Sequence, residues 1–162
     1  MKAAILTISD KAQRGEREDR SGPALAAWLA ARAVEVTSAR TVADEPEAIA
    51  AQLIAWADSG SCDLIVTTGG TGVAPRDVTP EATRRVLERE IPGMGEAMRA
   101  ASLGKTPYAI LSRAVAGMRG RVLIVNLPGS PRGAVENLAA IWAAVPHAVG
   151  KIQGDGSDCV PN

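Results

Sequence analysis

The residues 67–72, Thr-Thr-Gly-Gly-Thr-Gly, followed by Arg76 and Asp77, form the stretch of this chain best suited to chemistry. Glycines at 69, 70 and 72 would let backbone N–H groups converge on phosphate oxygens. A carboxylate close behind, Asp77, could hold a divalent cation against those phosphates. The pattern is neither GxGxxG nor GxxxxGKS/T, so a dinucleotide fingerprint and a P-loop are both excluded as written. A tight turn needing positive φ accounts for the glycines alone about as well as phosphate binding does. The adjoining Arg76-Asp77 and the helix-opening Thr79-Pro80-Glu81 tip the balance towards a site. A second Gly/Pro segment, 126–131 (Asn-Leu-Pro-Gly-Ser-Pro), ends where Ser130 could cap a helix or help an N-terminus accept an anion. Ser9-Asp10 and Asp44 add further polar groups.

These segments matter only if the fold brings them together. Residues 2–9, 34–42, 62–68, 108–112 and 121–125 read as strands from their apolar or β-branched runs. Between them, helical spacing follows Pro23, follows Asp44, runs from Thr79 to about Arg89, covers 95–103, and continues from Ser130 through Val145. Asp44 with Glu47 reads as a capping box, and Thr79-Pro80 as a cap followed by a first-turn proline. Residues 10–22 read as a loop, and Gly117 and Gly120 as the turn of a small β-hairpin arm. Strands alternating with helices predict one domain over 1–162: a three-layer α/β/α sandwich with a mainly parallel sheet. In such a sheet the loops leaving the strand C-termini share one edge, where ligands bind. That edge would collect Ser9-Asp10, Asp44, 67–77 and 126–131.

Composition removes other classes. Lys+Arg and Asp+Glu are 18 each, so no charge excess favours a nucleic acid or a membrane surface. Phe is absent and only three Trp and one Tyr are present, which argues against base stacking and predicts an Ala/Val/Leu/Ile core. Two cysteines, Cys62 and Cys159, with no CxxC and no Cys/His cluster argue against a structural zinc site or a disulfide scaffold. The opening apolar run is too short for a leader or a membrane span, so the expected location is the cytoplasm. Cys62 reads as a core residue and His147 as a helix-end or surface group. The Trp residues read as core or subunit interface, and Arg84-Arg85 with 88–90 as a solvated helix face.

The segment 67–83 closely resembles the signature of the MogA/MoaB family of molybdenum cofactor biosynthesis proteins, shared with the G domain of gephyrin. The resemblance extends to 7–10, Asp44-Glu45, 92–96, 112–114 and 126–131, nearly the whole chain. It implies an α/β sandwich, a homotrimer and binding of molybdopterin. Catalytic members are molybdopterin adenylyltransferases, which use ATP and Mg²⁺ and release pyrophosphate. A separate molybdenum insertase would act downstream. Asp77 and Asp44 match the catalytic and metal-holding carboxylates; Asp77 could instead be an N-terminal helix cap, and for Asp44 the capping box with Glu47 weighs nearly as much as the functional role. Thr68, Gly69, Gly70, Thr71 and Gly72 match the nucleotide loop. Ser9, Asp10, Ser112, Arg113, Pro128, Gly129 and Ser130 fall on the pterin side, where Arg113 could instead pair with a surface carboxylate; Glu96 also matches a family position but could be a helix-start charge. Some MoaB-type siblings bind pterin without a clear catalytic role, and a carrier trimer is the competing expectation. This chain stops soon after its last helix, where some catalytic relatives are longer. A third reading is an unrelated sugar- or nucleotide-binding α/β domain.

Overall fold

A computed structural model of the chain describes residues 1–156; Cys159 lies outside the described residues. The chain opens with β1 (Lys2–Ile8), a short α1 (Asp10–Gln13), α2 (Ser21–Ala30), β2 (Glu35–Val42), α3 (Pro46–Asp58) and β3 (Leu64–Thr68). It continues with α4 (Thr79–Arg84), β4 (Arg89–Glu90), α5 (Pro92–Leu103) and a 3₁₀ segment (Pro107–Leu111). The hairpin β5 (Ala116–Arg119) and β6 (Val122–Leu127) precedes α6 (Pro131–Ile141) and α7 (Val145–Ile152).

The sheet order is β2-β1-β3-β6-β5-β4. The first four strands are parallel, and β5 and β4 extend the sheet antiparallel. Alternation along the buried strands feeds two cores. Ala3, Ile5, Leu64, Val66, Leu123 and Val125 face α2, α5, α6 and α7. Ala4, Leu6, Ile8, Ile65, Val122 and Ile124 face α3 and α4. The expected three-layer sandwich and its aliphatic core are both present. Trp28 of α2 and Trp142 beyond α6 meet edge to face with ring centroids 5.0 Å apart, half-buried between those helices.

Several boundaries differ from the sequence reading, each for a local reason. Residues 108–112 are not a strand. Pro107 has no N–H to give a ladder, and the Thr106 hydroxyl accepts from Tyr108 N at 3.3 Å, starting a 3₁₀ turn. The helix from Thr79 ends at Arg84, and Arg89–Glu90 pairs with Met118 and Gly117 instead of continuing a helix face. The expected small hairpin is present as β5 and β6, built into the sheet and turning at Gly120 with φ +53°, while Gly117 lies within β5 and not in the turn. The 10–22 loop contains α1, capped by Ser9, and already yields to α2 at Ser21. The long last helix breaks at Trp142–Ala144 into α6 and α7. Asp44 does not cap α3: Glu45 holds that position without a side-chain bond, because the Asp44 carboxylate is engaged elsewhere.

Candidate active site

The chain reverses direction around β1. From β1 it runs through α2 to β2 on one side, then through α3 to β3 on the other. α2 and α3 lie on opposite faces, so their loops part at the C-terminal ends of β1 and β3 and leave a crevice there. A cavity of about 780 Å³ occupies that crevice. Ser9, Asp44, Thr68, Gly69, Gly70, Asp77, Gly129 and Ser130 line it.

The glycine loop is fastened to its neighbours. Thr68 Oγ1 donates to Pro128 O at 2.7 Å, and Gly69 N donates to Leu127 O at 3.2 Å, joining the two Gly/Pro loops. Thr79 Oγ1 donates to Gly69 O at 2.9 Å and Thr79 N to Gly70 O at 3.1 Å. Thr79 therefore anchors the loop to α4 and does not cap it. Gly69 and Gly70 have φ of +106° and +61°. A Cβ on Gly70 would collide with Thr79 Oγ1 and stand 3.1 Å from Asp44 Oδ1. The turn itself thus demands these two glycines.

The carboxylates differ in environment. Asp44 Oδ2 accepts from Asp10 N at 2.8 Å, and Asp10 Oδ1 accepts from Asp44 N at 3.0 Å. This reciprocal clamp ties the end of β1 to the end of β2. Burial pushes the half-buried Asp44 carboxyl above the ordinary aspartate value; the Asp10 N–H opposes it, and the Asp10 charge adds to it. Asp10 is held below its ordinary value by the Asp44 N–H and by Arg76, which pairs with it at 2.8 Å and with Glu45 at 2.9 Å. Asp77 Oδ2 accepts from Ala74 N at 2.8 Å, closing the turn that Asp77 N makes with Ala74 O. Asp77 is thus a turn clasp and not a helix cap, since Val78 holds the cap position of α4. Each of Asp44 and Asp77 keeps its other oxygen without a hydrogen-bond partner among the described residues.

A second cavity of about 280 Å³ adjoins the first and shares Ser130 with it. Thr71, Gly72, Ser112 and Pro128 line this one, beside Arg99, Lys105 and Tyr108. Ser130 caps α6, accepting from Gly133 N at 3.2 Å, so the N-terminus of that helix opens on both cavities. Arg113 lines neither. Its guanidinium donates to Gly72 O at 2.6 Å, to Asp77 O, and to Glu81, bracing the 72–77 loop from beneath. Asp10 sits behind the first cavity through its clamp. Glu96 is exposed on α5 and lines neither cavity.

Sequence reasoning passed over the 14–20 loop, which forms one wall of the larger cavity through Arg17, Glu18, Asp19 and Arg20. Asp19 fixes the end of that loop: it accepts from Thr7 Oγ1 at 2.6 Å and from Ser21 N and Gly22 N at 3.0 Å. An acid two residues before Ser-Gly-Pro was the available signal, since such an acid can satisfy the first N–H groups of a helix. Arg99 and Lys105 had no comparable signal. Cys62 is buried, and burial pushes its thiol up to about 11, so it takes no part in chemistry here.

The family described as "Probable molybdopterin binding domain" matches residues 4–147. The chain belongs to the MogA/MoaB family of molybdenum cofactor biosynthesis proteins. Among its MogA/MoaB relatives, the molybdopterin adenylyltransferase of Helicobacter pylori (strain J99) is 46% identical over 153 residues, covering 93% of this chain and 87% of its own. That of Escherichia coli K12 is 39% identical over 175 aligned positions, covering 99% and 90%. The crystal structure of the molybdopterin biosynthesis enzyme MoaB from Thermus thermophilus superposes with a TM-score of 0.89 at 54% identity, covering 94% of this chain and 96% of its own.

Proposed function

We propose that this MogA/MoaB protein is a molybdopterin adenylyltransferase. The observation that carries the reading is the convergence of Asp44, Asp77, an open glycine loop and the N-terminus of α6 on one crevice. In the reaction, an oxygen of the molybdopterin terminal phosphate attacks the α-phosphorus of ATP. A new P–O bond forms, the α–β phosphoanhydride breaks, and pyrophosphate leaves. The nucleophile is already an anion, so no strong base is needed. The work is to bring two polyanions together and to neutralise charge on the leaving group.

The loop 68–70 leaves room for phosphate close to the backbone, and the α6 N-terminus favours negative charge. Asp44 and Asp77 suit Mg²⁺, which is commonly held by one or two carboxylates with the phosphates completing its shell. No group of three or more potential metal ligands exists among the described residues. Bound Mg²⁺ would supply charge neutralisation at the phosphates. Asp44 and Asp77 orient the nucleotide's phosphates, and Arg113 keeps Asp77 in place. The second cavity, with its apolar lining and the adjacent Arg99 and Lys105, is assigned to the pterin.

A MoaB-type pterin carrier is the second reading; the Thermus neighbour bears the MoaB name, although it is described as a molybdopterin biosynthesis enzyme. A carrier has no use for two carboxylates with open oxygens beside a nucleotide-sized cavity. We further assign the chain to a homotrimer in the cytoplasm, handing its adenylylated product to a molybdenum insertase. No helix among the described residues is long and apolar enough to cross a membrane. The deciding test incubates the purified protein with molybdopterin, ATP and Mg²⁺ and follows adenylylated pterin and pyrophosphate. Equimolar formation of both is expected; pterin binding without either product would establish the carrier.

A further inference from the structure

The wall of the larger cavity raises a charge problem for a polyanionic ligand. Glu18, Asp19, Asp44 and Asp77 all line it, against two cations, Arg17 and Arg20. Arg20 is already paired with Glu18 at 3.0 Å. Two arginines that approach from outside are likewise committed, Arg76 to Asp10 and Glu45 and Arg113 to Glu81 and two carbonyls. Within the loop, Arg14 pairs with Glu16 at 2.7 Å. Arg17 differs from all of these: its guanidinium has no partner among the described residues.

Its position is nevertheless fixed. Arg17 N donates to Lys11 O at 3.3 Å and Glu16 N to the same carbonyl at 2.8 Å, holding the loop to the end of α1. The four bonds accepted by Asp19 hold the other end. The backbone at residue 17 is thus pinned on both sides while the side chain is left uncommitted over an anion-binding crevice. A guanidinium is suited to that place, because its fork of donors matches phosphate oxygens and it carries charge at every working pH.

We propose that Arg17 is a phosphate-binding residue of this site, contacting a phosphate-bearing ligand in the larger cavity. The inference rests on the adenylyltransferase reading and deepens it. The ligand group is either the polyphosphate of the nucleotide or the terminal phosphate of the pterin. Because the side chain makes no hydrogen bond or ion pair among the described residues, its removal should leave the structure intact, and affinity alone should change.

The experiment compares wild type, Arg17→Gln, Arg17→Lys and Arg14→Gln by calorimetry with Mg²⁺-ATP, inorganic tripolyphosphate and molybdopterin, at low and high salt. Arg17→Gln is expected to weaken one class of ligand by about tenfold or more, the worth of a charge-assisted contact, and to flatten its salt dependence. Arg17→Lys should recover part of that loss, and Arg14→Gln should bind as wild type. Loss for ATP and tripolyphosphate places Arg17 on the nucleotide; loss for molybdopterin alone places it on the pterin. Wild-type affinity of Arg17→Gln for all three ligands overturns the proposal while leaving the adenylyltransferase reading standing. Failure of the wild type itself to bind any of them overturns that reading, and this inference with it.

Discussion

Asp77 and Asp44 carry the functional argument at the scale of single residues, and they do so in different ways. Asp77 uses one oxygen to clasp its own turn and leaves the other open. An Asn keeps the accepting oxygen and the size but loses the charge, so Asp77→Asn should fold normally. Its product formation should fall by about a hundredfold or more, in line with losing a principal electrostatic contact in the site. Thermal melting with a turnover assay checks both halves, and unchanged turnover at saturating Mg²⁺ would leave Asp44 as the main carboxylate. Asp44 and Asp10 make an opposed pair in their titration. Burial raises Asp44, whereas the Asp44 N–H and Arg76 lower Asp10. In metal-free protein, an NMR titration of the carboxyl carbons should place Asp44 above and Asp10 below the ordinary value of about 3.9. The signs of their stability contributions differ. Asp10 stabilises the fold above its unfolded value, and that contribution is lost as pH falls through its folded value. Asp44 costs stability while charged, and the cost fades as pH falls through its raised value. Both carboxylates were legible from type and position. Their clamp was not, because only the register of β1 against β2 sets residue 10 beside residue 44.

At the scale of elements, the parallel strands and their flanking helices were readable because buried strands show continuous apolar runs and surface helices show a 3.6-residue period. What failed was decided by partners distant in sequence. Arg89–Glu90 carries no strand pattern and is a strand only because β5 passes beside it. Arg113, expected at the pterin, is drawn instead to carbonyls 41 and 36 residues away, at Gly72 and Asp77. That bracing makes a prediction for the loop as a unit. Lys cannot span the acceptors that the guanidinium fork reaches, so Arg113→Lys should lower stability by about 1–2 kcal/mol. It should also raise the apparent KM for ATP as the 72–77 loop loosens. Urea melts with nucleotide titrations give the two values; an unaffected KM would mean the loop holds its shape without Arg113. Gly70→Val belongs here too. With φ at +61° and Thr79 in the way, valine should destabilise the fold before any effect on phosphate can be read.

Among the described residues, an exposed apolar patch stands outside both cores. Tyr108, Ile110, Leu111 and Leu103 are 76%, 70%, 46% and 48% exposed. They lie on the 3₁₀ segment and at the end of α5, which pack against each other. A chain whose core is otherwise aliphatic and closed gains nothing from leaving these side chains in water. The segment exists because Pro107 and Thr106 turn the chain away from the sheet, which carries Tyr108 and Ile110 outward. An expected homotrimer gives that outward face a use: burying it against a neighbouring copy removes apolar area from water in each subunit. The same segment lines the second cavity through Tyr108 and Leu111, so assembly and the pterin side would be coupled. Ile110→Asp places a charge on the patch without touching either core. Sedimentation at micromolar concentration should show the wild type as a trimer and the variant as a monomer with an unchanged circular dichroism spectrum. If coupling holds, the variant should also bind molybdopterin more weakly while keeping its ATP affinity, since the larger cavity is built from other elements. A wild type that sediments as a monomer would remove the trimer, and a variant that stays trimeric would move the interface to another face.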